Sequence, residues 1–456
     1  MNNLKAGFGR ANINPMMGIH VRGYYQERLA DGILDDLEVN VLAVEAGGKK
    51  VALVCLDNCG INKKITDQFK AYAAEKTGLP TDAIFIASTH THTGPDLALP
   101  DLEPDMMVSI DKSLEIEYTQ FAIKRTADAI QFALDDLKPA KMGWGVGEAK
   151  NVAFVRRFRM KDGSIQTNPG VNNPDIVAPI GDIDERVNVL RFDREGAESL
   201  VLVNVGNHPD VVGGCKISAD WPGFLRRTVE KSIDNTKCIF FNGAQGDINH
   251  VNVHPKGGDL NGMFMDFDDV SRGYAHSRHI GNVVAAGVLQ VYEKVAYVDV
   301  DDVKFKEYGI KIPSNKADEA DLPEARRIDE LHKAGKDAEL PYKGMMLTTV
   351  VAEAARMLRL ENGPDFFEMN LLGVSLGPVG IVGIPGEPFN GIGLGLKETK
   401  GYDVILPVCC ANGSDGYFPM QEAYDEGGYE SRSSIFKAGV AELIIEEGQK
   451  LLKELK

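Results

Sequence analysis

Short apolar runs alternate along the chain with longer segments of mixed polarity. Runs rich in Val, Ile, Leu and Phe, bounded by polar or turn residues, predict buried strands at 51–56, 83–87, 200–205, 238–241, 371–376, 381–384 and 404–408. Two other stretches carry apolar residues at three- and four-residue spacing, which is typical of amphipathic helices. The first contains Leu114, Tyr118, Phe121, Ala122, Ile130, Ala133, Leu134 and Leu137, and the second Phe436, Val440, Leu443, Ile444, Leu451 and Leu455.

Strands interleaved with amphipathic helices indicate a layered α/β architecture. The pattern predicts a largely buried mixed sheet flanked by helices, with the active site at the C-terminal ends of the strands. No Ser/Pro-rich linker, low-complexity tract or repeat of roughly 20–50 residues divides the chain. We therefore expect a single domain over residues 1–456, in which the charged stretch 311–343 forms a surface helix and loop insertion.

The charge balance limits the classes of partner. The chain has 50 Lys and Arg against 67 Asp and Glu, a formal net charge of -17, which repels nucleic acid and anionic lipid surfaces. No run approaches the roughly 18 consecutive apolar residues of a membrane span. We expect a small-molecule substrate, no nucleic acid and no stable membrane association; the oligomeric state is left open.

The N-terminus and the cysteines bear on the compartment. The first residues lack the basic and apolar regions of a secretory signal, which predicts a cytoplasmic protein. The six cysteines contain no C-x-x-C pair and form no disulfide framework. We interpret them as reduced, buried small side chains.

Almost every apolar run is followed at once by residues that bind metals or move protons. These residues are Asp57 and the segments 88–96, 207–210, 242–250, 385–388 and 412–417. In open α/β sheets, ligands bind outside the carboxyl ends of the strands. The sequence therefore places its candidate chemistry at one edge of the predicted sheet.

His90 and His92 form the sharpest local motif. In an extended chain, residues i and i+2 point to the same side, so the two imidazoles can converge on one site. Imidazole nitrogen suits zinc, and a catalytic zinc has about three protein ligands and an open position. The alternative is that both side chains only hydrogen-bond to neighbouring backbone.

His208 and Glu387 follow other predicted strands and complete a plausible set of metal ligands. Asp247 follows the run at 238–241, where a carboxylate can take a proton from a metal-activated water. A helix cap or turn residue is the alternative role for Asp247.

Several common catalytic motifs are absent. The sequence contains no G-x-x-x-x-G-K-[ST] and no G-x-S-x-G, which excludes a P-loop and argues against a serine nucleophile elbow. The glycine-rich segment 391–395 follows a predicted strand and precedes a helix-like segment, but its spacing is not that of a dinucleotide-binding loop.

Together these motifs resemble the neutral/alkaline non-lysosomal ceramidases and their bacterial relatives, which are zinc amidases. The similarity spans most of the chain in the same order, and its most specific part is the Thr-His-Thr-His-Thr-Gly-Pro segment. The matching residues are the segment 89–95, His208, Gly246, Asp247, the segment 385–387, Tyr417 and the segment 428–430.

The resemblance implies a role for each matching residue. It makes His90, His208, Glu387 and Tyr417 the ligands of one Zn²⁺ per chain. His92 would contact the substrate carbonyl or leaving group, and Asp247 would be the general acid and base. By the same resemblance Tyr429 and one of Arg156 and Arg157 would bind substrate; which of the two arginines matches the family is left open. His250 and Gly23 are further predicted substrate-binding residues.

The chain departs from the family in three respects. The serine of the family's Gly-Asp-hydrophobic-Ser-Pro-Asn motif is absent from 246–251, which leaves direct attack by zinc-bound water. Asn249 or His250 could then donate a hydrogen bond to the oxyanion. We also expect neither a C-terminal immunoglobulin-like domain nor a secretion signal, and a small polar metabolite suits such a protein better than ceramide.

The sequence thus predicts a zinc-dependent hydrolase that cleaves an amide or ester bond of a small polar metabolite. Two alternatives remain open. One is a two-metal phosphoester hydrolase, since similar residues build phosphatase sites. The other is a non-catalytic relative that binds zinc or another ligand. The polar loop 254–279 is a further candidate for ligand or second-metal binding.

Overall fold

The computed structural model describes residues 4–101, 111–259, 261 and 273–456. Much of the predicted polar loop 254–279 lies outside the described residues. The strands are, in chain order, Lys5–Asn12 (β1), Gly32–Ile33 (β2), Glu38–Ala46 (β3), Lys49–Leu56 (β4), Ile84–Ser88 (β5), Lys138–Glu148 (β6), Phe154–Val155 (β7), Arg157–Met160 (β8), Ile165–Thr167 (β9), Ile176–Ile180 (β10), Arg186–Arg194 (β11), Ser199–Val205 (β12), Lys216–Ile217 (β13), Thr236–Asn242 (β14), Ile248–Asn249 (β15), Ala296–Val298 (β16), Val303–Pro313 (β17), Phe366–Leu376 (β18), Val379–Gly383 (β19), Glu387–Pro388 (β20), Val404–Val408 (β21) and Tyr417–Phe418 (β22).

The α-helices within the described residues cover the outer faces of the sheets. They are Lys63–Thr77 (α1), Ser113–Asp135 (α2), Asp220–Ser232 (α3), Tyr274–Val291 (α4), Leu322–Lys333 (α5), Met345–Glu361 (α6), Asn390–Lys397 (α7), Gln421–Glu426 (α8), Tyr429–Ser433 (α9) and Val440–Leu455 (α10). None of these helices has the length and apolar character needed to cross a membrane.

The largest sheet is mixed, as the sequence predicts. Its strand order is β14-β12-β11-β6-β1-β3-β4-β5, and β16 pairs with β6 at one side. The pairs β4–β5 and β12–β14 are parallel, whereas β1, β3, β6 and β11 pair antiparallel with their neighbours. Both parallel pairs end at the segments that carry the candidate functional residues.

A second sheet, with the order β17-β18-β19-β21, packs against the first. Alternation along the strands produces the layers, because successive side chains point to opposite faces. On β3, Val39 and Val41 face α1 and α2, whereas Leu42 and Val44 contact second-sheet residues such as Val374. The outer face of the second sheet is covered by α7 and α10. The result is a helix, sheet, sheet, helix sandwich.

All seven predicted strands and both predicted helical segments are present, with bounds shifted by a few residues. Two details of the prediction are wrong. Phe121 lies at the rim of the buried stripe of α2 and is 38% exposed. The glycine-rich segment 391–395 lies inside α7 rather than before a helix. A Cβ on Gly393 would approach that of Ala244 to 2.8 Å, so glycine allows the helix to pack closely at this position.

The charged stretch 311–343 contains the end of β17 and helix α5. Its apolar residues Ala325, Ile328 and Leu340 pack with Val350 of α6 in a small separate cluster. All six cysteines are free; five are buried and Cys215 is half-buried.

Candidate metal centre

His90 lies two residues after β5, where the buried strand ends. Its backbone φ is 72°, a left-handed conformation that is uncommon for a residue with a side chain and is often found at functional sites. The ring Nδ1 lies 2.5 Å from the Cys59 carbonyl oxygen. Because a carbonyl can only accept, Nδ1 carries the proton and Nε2 presents a lone pair.

His208 follows β12 and reaches the same point. Its Nδ1 lies 3.4 Å from the carbonyl oxygen of Gln245, and in the tautomer that donates to this carbonyl the lone pair is on Nε2. The Nε2 atoms of His90 and His208 are 3.2 Å apart. The His92 backbone N–H donates to the Pro209 carbonyl at 3.0 Å, which ties the two histidine-bearing loops together.

Glu387 supplies a carboxylate to the two imidazoles. Its Oε2 lies 3.2 Å from His90 Nε2 and 3.7 Å from His208 Nε2. Glu387 stands on β20, which pairs in parallel with β22 so that Tyr417 is its register partner. The structure therefore brings together three of the four predicted zinc ligands and places the fourth, Tyr417, beside them.

The donor set fits a metal cation. Two imidazole lone pairs that face each other at 3.2 Å repel unless a positive charge lies between them. The side chains of His90, His208 and Glu387 are all nearly buried, and their donor atoms lie within 4.8 Å of one another. The other ring nitrogen of each histidine lies near a backbone carbonyl, an arrangement that zinc-bound histidines also have. Nitrogen and oxygen donors of this kind suit zinc.

The pKa directions describe the same cluster. Burial alone would raise the pKa of the Glu387 carboxyl, but the neighbouring His90 and Arg156 outweigh it and lower this pKa to about 2. Burial would lower the pKa of His90, but the charge of Glu387 outweighs it and raises this pKa well above its usual value. Burial lowers the pKa of His208 well below its usual value, and Arg156 and the neighbouring imidazoles lower it further. Glu387 is thus ionised and His208 neutral, as metal binding requires, whereas His90 has to release a proton when it binds a metal.

His92 also reaches the cluster, where its Nε2 lies 3.2 Å from His90 Nε2. Its Nδ1 lies 3.8 Å from an oxygen of Asp210. The other face of the ring packs against Gly23, where a Cβ would come within 2.7 Å of the ring carbon Cγ. Gly23 has a φ of 118°, so both its space and its backbone conformation require glycine.

The two arginines have different surroundings. Arg156 is buried; its Nε donates to Glu430 at 2.7 Å, its Nη1 lies 3.5 Å from His208 Nδ1, and its guanidinium lies 5.3 Å from the Tyr417 ring centre. Arg157 turns away and donates to Glu426 and to the Gly427 carbonyl. Of the pair, Arg156 is the arginine that faces the cluster.

The ring of Tyr429 packs against that of Tyr417. The two ring centres are 5.5 Å apart, and the Tyr429 hydroxyl is 3.2 Å from the hydroxyl of Tyr25. This position is compatible with the predicted contact between Tyr429 and substrate.

Asp247 makes a contact that fits its alternative role as a helix-capping residue. Its Oδ1 accepts a 2.7 Å hydrogen bond from the backbone N–H of Asn390, the first residue of α7. Burial raises the pKa of Asp247 to about 6. The described contacts of this carboxylate run to the start of α7, and they do not include the three histidines.

Asn249 and His250 occupy the strand β15 and the residue after it. The Asn249 amide donates to Asn168 at 3.0 Å and its oxygen accepts from the Val251 N–H at 2.9 Å. The His250 ring lies 6.0 Å from the ring of His276 on α4. The described hydrogen bonds of Asn249 thus do not reach the histidine cluster.

Two cysteines near the cluster were not singled out from the sequence. Their sulfurs approach His90 Nδ1, Cys59 to 4.0 Å and Cys410 to 3.6 Å. Cys59, His90 and His92 form a second group that could hold a metal. Both cysteines follow buried strands, β4 and β21, so the rule that strand ends carry the site could have found them.

The comparisons with known proteins support the fold. No family model matches the sequence, and no curated protein matches it significantly. The solved structure of neutral ceramidase from Pseudomonas aeruginosa matches 99% of this chain and 75% of its own, with a TM-score of 0.70 and 18% identity. A ceramidase complexed with C2 matches 99% of this chain and 76% of its own, with a TM-score of 0.69 and 17% identity. The predicted resemblance to ceramidases is therefore confirmed at the level of the fold.

Proposed function

We propose that this protein is a zinc-dependent hydrolase that cleaves an amide or ester bond in a small polar metabolite. One observation carries the proposal, namely that the Nε2 lone pairs of His90 and His208 and the Glu387 carboxylate converge on one buried point. The ceramidase fold of the chain supports an amide-cleaving activity, because ceramidases by name act on ceramide.

His90, His208, Glu387 and Tyr417 are the proposed ligands of one zinc ion. The two candidate groups of metal ligands share His90, which favours a single ion over the two-metal alternative. When bound, zinc polarises the carbonyl oxygen of a substrate and lowers the pKa of a water molecule.

Arg156 and His92 are the proposed groups that stabilise developing charge. Arg156 is held by Glu430, and its buried guanidinium faces His208 and Tyr417 without any rearrangement. Such a preorganised cation favours a transition state that gains negative charge on oxygen. His92 offers a second hydrogen-bonding group beside the point where the ligand atoms converge.

Asp247 remains the proposed general base. A pKa near 6 suits proton transfer at neutral pH. Its hydrogen bond to the Asn390 N–H supports instead a role in holding the start of α7. The substitution Asp247→Asn separates these two roles, because asparagine can accept the hydrogen bond but cannot take up a proton.

The proposed substrate is polar because hydrogen-bonding groups surround the cluster. Tyr25, Tyr417 and Tyr429 present phenols on one side, and Arg156 presents a charge on another. A cytoplasmic location is part of the same proposal, since it would give the enzyme access to small metabolites rather than to membrane lipids.

The test is hydrolysis of N-acyl and O-acyl polar metabolites by the zinc-loaded protein. His279→Ala is the matched control, because His279, although the last residue of the segment 254–279, is an exposed histidine on α4 and belongs to neither group of candidate metal ligands. We expect hydrolysis by the wild type and by His279→Ala, and its loss in His90→Ala. Activity retained in His90→Ala would refute the proposed site. Cleavage of phosphoesters alone would favour the two-metal alternative.

A further inference from the structure

The segment 22–28 lies across the cluster as a closed loop, which we call the roof segment. The Val21 N–H donates to the Arg28 carbonyl at 2.8 Å and closes the loop at its base. Arg28 Nη2 donates to the carbonyls of Arg22 and His92, both at 2.8 Å. The roof segment is therefore attached to the backbone of a residue in the candidate site.

Three consecutive residues of the roof segment contact three sides of the cluster. Gly23 packs on the ring of His92. The Tyr24 hydroxyl donates to Asp210, two residues after His208. The Tyr25 hydroxyl lies 3.2 Å from that of Tyr429. The roof segment therefore contacts residues of the candidate site at three points.

The ring of Tyr25 packs against Tyr429 beside the cluster. Its ring centre lies 6.4 Å from that of Tyr429 in an edge-on arrangement. Tyr429 in turn lies 5.5 Å from Tyr417, the register partner of Glu387. The three phenols form a row that ends at the proposed metal ligands. Burial raises the pKa of Tyr25 to about 12, so its hydroxyl stays protonated.

We propose that Tyr25 is a specificity-determining residue that excludes long alkyl chains from the space beside the cluster. The proposal rests on the proposed function and names its substrate class, amides or esters with short groups on both sides of the carbonyl. A long chain that replaced the ring contact would also separate the Tyr25 and Tyr429 hydroxyls and leave them without their hydrogen bond, which is unfavourable in a desolvated site.

The test measures binding rather than turnover. Three metal-chelating probes are titrated by calorimetry into zinc-loaded protein: acetohydroxamate, octanoylhydroxamate with the chain on the carbonyl side, and N-octyl acetohydroxamate with the chain on nitrogen. We expect the wild type to bind acetohydroxamate at least about tenfold more tightly than either long probe. In Tyr25→Ala this preference should fall by about tenfold or more for at least one long probe.

Two further variants test whether the Tyr25 ring causes the preference for the short probe. Tyr25→Phe keeps the ring but removes the hydroxyl contact with Tyr429, so it should keep most of the preference of the wild type. Tyr297→Ala removes a tyrosine that is 52% exposed on β16 and should also leave the preference unchanged.

The proposal would be overturned by an unchanged preference in Tyr25→Ala, or by an equal loss of preference in Tyr25→Phe and Tyr25→Ala. In either case, tight binding of acetohydroxamate would leave the proposed function standing. Failure of acetohydroxamate to bind the wild type would refute the metal site and the Tyr25 proposal together.

Discussion

The three imidazoles of the cluster differ in what their second ring nitrogen contacts. In His90 and His208 that nitrogen lies near a backbone carbonyl, whereas in His92 it lies 3.8 Å from the carboxylate of Asp210. Either kind of neighbour can orient a metal-bound histidine. The position of Glu387 distinguishes the two proposed ligands, because its Oε2 lies 3.2 Å from His90 Nε2 and 3.7 Å from His208 Nε2.

At this scale the predicted convergence of His90 and His92 is present in the structure, but for a different reason. His90 and His92 were expected to converge because they lie on one side of an extended chain. His90 is in fact left-handed, with a φ of 72°, and the two rings meet through this bend. A left-handed residue with a side chain is held by its surroundings, here the Cys59 and Asn58 carbonyls, which come from another segment. Local sequence does not reveal such contacts.

Substitution of Gly23 tests the contact between the roof segment and His92. In Gly23→Ala the new Cβ would lie 2.7 Å from the His92 ring, on a backbone with a φ of 118°. We expect a loss of about 1–3 kcal/mol in the free energy of unfolding from the backbone strain, and a fall in activity because His92 must move. Chemical denaturation and steady-state kinetics measure both. Gly163→Ala, at an exposed turn with φ 85° and open space, is the control for strain alone.

Asp247→Asn separates the two roles of this carboxyl. Asparagine keeps an oxygen that can accept the Asn390 N–H, but it cannot take up a proton. If Asp247 is the general base, activity falls by about 10²–10⁴ while the protein stays folded and binds zinc. Activity equal to that of the wild type would leave Asp247 with a structural role only.

The raised pKa of Asp247 predicts that the stability of the protein depends on pH, and the same variant tests this. The folded-state pKa of Asp247, about 6, lies above that of an unfolded aspartate, so folding favours the protonated carboxyl. The wild type therefore loses stability as the pH rises from about 4 to about 6, and the loss is constant above that window. Relative to the wild type, Asp247→Asn should gain stability across this window, which thermal unfolding at several pH values would show.

At the scale of elements, the ends of buried strands supply the site. The segments after β5 and β12 provide the histidines, and β20 and β22 provide Glu387 and Tyr417. This much followed from the sequence, because apolar runs and the polar residues after them are visible in it. Which of Arg156 and Arg157 faces the cluster was not visible, since it depends on the face that each residue presents, and neighbouring residues point to opposite sides.

The ion pair between Arg156 and Glu430 fixes α9 beside the cluster, and its removal can be tested. Glu430 is fully buried and paired with buried Arg156, whereas Glu426 is 23% exposed and pairs with Arg157. Glu430→Gln leaves a buried arginine without its countercharge, so we expect about 3–5 kcal/mol of destabilisation and reduced activity. Glu426→Gln is the matched control and should cost less stability. Equal effects of the two variants on unfolding in denaturant would contradict this account of the pair.

At the scale of the whole molecule, the site joins two sheets. His90 and His208 follow strands of the first sheet, while Glu387 and Tyr417 follow strands of the second, β19 and β21. The sequence predicted a layered α/β fold but not two stacked sheets. The pairing of strands far apart in sequence, such as β1 with β6, cannot be read from local patterns, because it depends on how the chain crosses between layers.

Because the proposed ligands come from both sheets, a bound metal would contribute to overall stability. A ligand that binds only the folded state stabilises it by about 4 kcal/mol when present at a thousand times its dissociation constant. Treatment of the wild type with a chelator should therefore lower its melting temperature by several degrees. The melting temperature of His208→Ala should change little on the same treatment. Equal shifts in both proteins would indicate that the chelated metal is bound elsewhere.

The metal content of the purified protein tests the central claim most directly. Elemental analysis of the wild type, His90→Ala and His208→Ala would be made side by side, with His279→Ala as the control. The account predicts about one zinc per chain in the wild type and the control, and its loss in both cluster variants. A folded wild type without metal after growth and purification in the presence of zinc, or zinc retained in both cluster variants, would contradict it.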